Sequence, residues 1–131
     1  MATRELSGGS QSQRDRFPPI GNSPKGFVIF TLCGRVSFML SAQGRQAAKS
    51  EEDKARLLSS MIAYTGTYVL KEDRWITRVD VSWNPEWVGT EQTRRFQMNG
   101  DRLTVQTPWR VMPNWPDKGL TRSIVHFQRC P

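Results

Sequence analysis

A mainly β fold, an antiparallel meander that curls into a barrel with one short helix, follows from three features of this 131-residue chain. Runs of period-two alternation recur along it, and alternation marks strands because successive side chains point to opposite faces. Asn99-Gly100 stands between two such runs and supplies the positive φ that a tight hairpin needs. Residues 75–108 pack three strand patterns together, joined by the loop 84–90 and by that turn. Enough neighbouring antiparallel strands curl, and a small barrel has an interior.

The elements follow in chain order. Residues 1–24 are rich in Gly, Ser, Gln and Arg and carry Pro18, Pro19 and Pro24, which predicts a disordered or loosely attached arm ahead of a folded domain over 25–131. Residues 26–32 and 35–40 are β-rich and form a hairpin around Cys33-Gly34. Ser50 ahead of Glu51, Glu52 and Asp53 marks a helix start, because its hydroxyl accepts a free N–H and the acids sit at the positive helix end. Leu57, Leu58, Met61 and Ile62 then give an apolar stripe, so a helix over about 51–62 is expected to cover or plug the sheet. Residues 64–70 form the next strand, turned by 71–73 into a strand over 75–83. After the loop 84–90, residues 92–98 and 103–107 form the Asn99-Gly100 hairpin. A Pro- and Trp-rich loop over 108–119 leads to a last strand over 120–129.

The bulk numbers exclude several classes. The net charge is +7, yet Lys and Arg are scattered and only Arg94-Arg95 are adjacent. Dispersed charge reads as a solvated surface, so nucleic acid is not expected as a partner. No stretch approaches the ~20 apolar residues of a membrane helix, and the N-terminus lacks the apolar run of a signal peptide. With Cys33 and Cys130 far apart, thiols in a reducing, cytoplasmic compartment are expected. One histidine, His126, and two distant cysteines cannot assemble the usual zinc ligands, so no metal or cofactor is expected.

Parity assigns side chains to faces. In the hairpin over 92–107, Phe96, Met98, Leu103 and Val105 share one face and belong inside, and Arg94 shares their parity. Two registers are open for the strand before it. If Leu70 pairs with Arg74 and Trp83 with Glu91, then Tyr64, Asp80 and Arg94 line up across three strands on the inner face. Such buried charges are tolerable because they are paired. If the strand slips by one, Val79, Val81 and Trp83 fill the core, and Arg78 and Asp80 form a solvated surface pair.

From about Pro24 to the C-terminus the chain resembles the lipocalin-like domain family, short calycin-type β-barrels. The runs PKGFVIFTLCGRVS, AYTGTYVLKEDRWITRVDVSWNPEWVGTEQTRRF and NGDRLTVQTP carry the likeness. Its most specific part runs from Ser82 through Trp87 and Gly89 to Arg94. The resemblance covers roughly four fifths of the chain and implies a barrel of about eight strands around a cavity for a small, mainly apolar molecule. Two features depart from the family. Residues 1–24 show nothing like its usual first strand. Either the fold starts elsewhere, or the chain lacks that strand and leaves an unpaired edge at 26–32 or 120–129 that invites homo-oligomers. Thr77-Arg78 also stand where relatives often carry histidine.

Three functional readings follow. In the first, the interior binds a small hydrophobic ligand through Tyr64, Tyr68, Arg78, Asp80, Arg94, Phe96 and Met98. Arg94 and Arg78 would contact a carboxylate, phenolate or carbonyl, whereas in a filled barrel the apolar members are simply core. The second is a cofactor-free isomerase, cyclase or hydratase of secondary metabolism, with Asp80 as base, Tyr64 as proton donor and Arg94 as charge stabiliser. An arginine beside Asp80 lowers its pKa and weakens it as a base, and His126 reads as a structural or surface histidine. The third is an interaction protein using Trp109, Trp115, Pro113 and Pro116, with Trp87 and Trp115 as lid residues.

Overall fold

A computed structural model describes residues 2–10, 16–17 and 24–131. Ten strands among them form an antiparallel sheet: β1 (Ala2–Ser10), β2 (Arg16–Phe17), β3 (Lys25–Phe30), β4 (Arg35–Ser41), β5 (Met61–Lys71), β6 (Arg74–Ser82), β7 (Glu91–Asn99), β8 (Arg102–Gln106), β9 (Arg110–Val111) and β10 (Leu120–Gln128). Helix α1 (Glu51–Ser59) lies between β4 and β5. The strand order is β2-β1-β3-β4-β5-β6-β7-β8-β10-β9, and β1 also pairs with β10. From β3 to β8 the sheet is the expected meander.

The sheet curls strongly. Phe30 on β3 and Trp75 on β6 have ring centroids 5.2 Å apart, although three strand spacings of a flat sheet span about 14 Å. Phe38 on β4 and Phe127 on β10 meet at 5.7 Å. The buried face therefore packs against itself, with Val36, Leu40, Val79, Val105, Val125 and Phe127 almost fully buried.

The β7–β8 hairpin obeys its parity: Phe96 pairs with Val105 and Met98 with Leu103. The turn itself is Gly100-Asp101, one residue later than expected, and Gly100 carries the positive φ of 61°. The β5–β6 hairpin departs further. Lys71 pairs with Arg74 and Leu70 with Trp75, so Glu72-Asp73 form a tighter turn than the expected 71–73. A bulge follows: Gly66 pairs with Val79, Thr65 with Val81, and Asp80 is the extra residue. Trp75, Thr77 and Val79 are buried, while Arg78, Asp80 and Val81 are exposed. The register that slips by one holds as far as the bulge, with Val79 inside and Arg78 and Asp80 outside; the bulge then turns Val81 outward, while Trp83 still packs against the core. Gly66 permits this. A Cβ there would lie 1.9 Å from the Arg78 carbonyl oxygen, so no other residue fits without backbone movement.

Two further expectations are corrected. The chain does not lack a first strand. β1 pairs with β10 from Ala2–Gln128 to Ser10–Thr121, with a bulge after Thr3, and meets β3 at Ala2–Phe27. Ladder bonds use main-chain N–H and C=O groups, so ATRELSGGS can supply a strand without apolar alternation. The rest of the expected arm over 1–24, apart from Arg16, Phe17 and Pro24, lies outside the described residues. Helix α1 starts as expected, with Ser50 Oγ accepting from the Asp53 N–H at 3.1 Å, but it buries no residue and does not plug the sheet. Met61 and Ile62, half of its anticipated stripe, belong to β5. Among the described residues no helix is long and apolar enough to cross a membrane.

Candidate functional site

The buried face carries two adjoining regions of different chemistry. The first lies at the end where the β3–β4, β5–β6 and β7–β8 turns gather. Phe30, Tyr68, Trp75, Phe96, Met98 and Leu103 line a pocket of about 240 Å³ there. Phe30 meets Tyr68 and Trp75 edge-on at 5.2 Å each, and Trp75 lies 5.6 Å from Phe96. The Tyr68 hydroxyl donates to the Thr31 carbonyl at 3.3 Å, so its polar tip is engaged and its ring is left to the pocket.

The second region is polar. Arg94 on β7 is 2% exposed. Its Nη1 donates to the Thr93 carbonyl at 2.9 Å. Its guanidinium carbon lies 5.7 Å from the Tyr64 ring centroid and 5.9 Å from that of Trp87. Trp87 is held by the short helical turn Pro85–Trp87, where the Asn84 side chain accepts from the Glu86 N–H at 3.2 Å. Arg110 on β9 approaches the same indole, 5.5 Å from its centroid, and its Nε contacts Met112 Sδ at 2.9 Å. Burial first, then the charge of Arg94, pushes Arg110 down to about 9, with Tyr64 opposing the shift.

Among the described residues no carboxylate pairs with Arg94 or Arg110. The Tyr64 hydroxyl, Trp75 Nε1, Thr77 Oγ1 and Arg110 Nη1 are buried without a hydrogen-bond partner. Trp75 joins the two regions: it lines the apolar pocket and lies directly opposite Arg94 in the β6–β7 ladder.

The residues singled out from sequence divide accordingly. Tyr68, Phe96 and Met98 converge on the apolar pocket, and Tyr64 and Arg94 meet beside Trp87. Arg78 and Asp80 are exposed instead of inward. Arg78 pairs with Glu91 in the ladder. Asp80 takes a two-pronged ion pair from Arg35, Nη2 to Oδ2 at 2.7 Å and Nη1 to Oδ1 at 3.0 Å. The Arg35 guanidinium holds the Asp80 carboxyl below its usual range. The row Tyr64–Asp80–Arg94 is therefore not assembled: the two-residue turn pairs Leu70 with Trp75, which puts Trp75, Thr77 and Val79 on the inner parity and Asp80 on the outer one, and Arg94 lies opposite Trp75. The proposed proton acceptor is absent from the interior.

His126 Nδ1 lies 3.0 Å from Thr104 Oγ1. Trp115 is buried, its Nε1 donating to Thr121 Oγ1 at 2.9 Å, whereas Trp109 is part-exposed under Arg122 at 4.9 Å. Trp115 is thus a pinned core residue and offers no docking surface.

Sequence reasoning missed Arg110, Trp75 and Thr77. The signal for Arg110 was available: it shares parity with Met112, which is almost fully buried, in the short apolar run WRVM. A family model described as a lipocalin-like domain matches residues 7–130. No curated protein matches the chain.

Proposed function

The chain belongs to the lipocalin-like domain family, and we propose that its sheet wraps into a barrel whose interior binds one small, mostly hydrophobic molecule. The pocket of about 240 Å³ lined by Tyr68, Trp75, Phe96 and Met98 carries this reading. Aromatic walls at one end of a curled sheet gain roughly 25 cal/mol for each Å² of apolar guest surface removed from water. The wrapping is supported by β1, which pairs with β10 along its length and touches β3 at its start. Part-exposed Met98 and Leu70 form the rim through which a guest enters. We assign the protein to the cytoplasm, where the free thiols of Cys33 and Cys130 stay reduced.

Titration with a neutral fluorescent naphthylamine tests the reading. Saturable one-to-one binding is expected, and Leu103→Trp, which fills the pocket, abolishes it while circular dichroism stays unchanged. Absence of saturable binding to the wild-type protein rejects the reading. Native mass spectrometry of protein purified from its own cells should then reveal the retained guest.

A further inference from the structure

We infer that the guest carries an anionic head, a carboxylate, held between Arg94 and Arg110 with the Tyr64 hydroxyl donating to it, an inference that rests on the interior-binding reading. Two guanidinium groups approach one indole, at 5.9 and 5.5 Å from its centroid, and are close enough for the charge of Arg94 to act on Arg110. Each guanidinium presents five N–H donors. The acceptors in place are the Thr93 carbonyl for Arg94 and the Met112 sulfur for Arg110. A carboxylate supplies two oxygens with about four lone-pair sites, which suits two guanidinium forks and a phenol.

Alternatives fit less well. The Trp87 ring attracts both cations, but an aromatic face accepts no strong in-plane hydrogen bond and leaves the N–H groups wanting. A neutral carbonyl would take hydrogen bonds but leave two like charges uncompensated. A metal cation would add to the repulsion. The positive field of the pair, felt by Arg110 through Arg94, selects for an anion.

The arrangement also sets the shape of the guest. Trp75 is the cross-strand partner of Arg94 and also lines the apolar pocket. An acid head on Arg94 and Arg110 therefore continues past Trp75 into an apolar body beside Tyr68 and Phe96. The ligand class is a small amphiphilic carboxylic acid.

Calorimetric titration with octanoate, octanol and octylammonium, which share a tail and differ in head group, tests this. Octanoate is expected to bind about ten-fold or more tightly than octanol, with octylammonium weakest. Arg110→Met and Arg94→Met should each bring octanoate down to the affinity of octanol. Equal binding of octanoate and octanol to the wild type overturns the inference and leaves the interior-binding reading standing. Failure of all three probes to bind overturns both. An acid preference that survives in both variants overturns the assignment to these arginines.

Discussion

Arg35 and Arg110 carry the same charge on opposite faces of one sheet. Arg35 lies outside, with its side chain 42% exposed, and makes two hydrogen bonds to Asp80, itself 50% exposed. Each group favours the charged form of the other, so the Arg35 pKa rises and the Asp80 pKa falls. Arg110 lies inside among Trp87, Met112 and Arg94, meets no carboxylate among the described residues, and is pushed down to about 9. The outer pair keeps its water and adds little to stability. The inner cation is half-buried and gives up part of its water with no carboxylate beside it among the described residues. Groups that weaken the free protein in this way are typical of binding sites, where stability and function conflict.

The largest expected effect comes from the bulge opposite Gly66. Gly66→Ala drives a Cβ into the Arg78 carbonyl, and urea unfolding should show a loss of about 3 kcal/mol. A loss below about 1 kcal/mol would mean that the bulge does not depend on glycine.

Next comes Arg110→Met, which should raise the stability of the ligand-free protein by about 1–3 kcal/mol. The pH dependence has a definite sign. The folded-state pKa, about 9, lies below the unfolded value, so the unfolded chain holds more protons above about pH 9. The cost of Arg110 is full below about pH 9 and falls as pH rises through that window. The stability gap between variant and wild type should be flat below pH 9 and narrow above it. A destabilised variant would mark Arg110 as a structural element of the core.

A smaller gain is expected for Tyr64→Phe. Removing a buried hydroxyl that has no partner should be neutral or stabilising by up to about 1 kcal/mol in thermal unfolding without ligand. The same change should weaken octanoate binding. Smallest of all is Asp80→Ala, whose urea midpoint should coincide with that of the wild type. A clear fall in that midpoint would show that the outer ion pair matters more than its solvation implies.

The comparison also separates what could be read along the chain from what could not. Phe96, Met98, Leu103 and Val105 were assigned to one face, and they pair as that parity requires. Tyr68, Phe96 and Met98, inward by strand parity and candidate ligand contacts, gather at one pocket. Asp80 belongs to the same expected set and lies outside, because a turn one residue shorter than 71–73 shifts the β5–β6 register by one and reverses which residues of β6 face inward. Nothing in VDVSW distinguishes a bulge from a regular strand; the clue was Gly66 on the neighbouring strand. β1 left no periodic trace either, since main-chain pairing does not need one.

Sequence alone determined the mainly β architecture, the meander and the faces of the β7–β8 hairpin. These rest on rules acting between residues close in the chain: alternation, turn chemistry and the short reach of a hairpin. Tertiary structure decided the bulge opposite Gly66, the seating of the N-terminal strand on β10, and the meeting of Arg94 and Arg110 at Trp87. Those outcomes depend on where a curled sheet brings distant segments together, and only the close packing of the whole face fixes that distance.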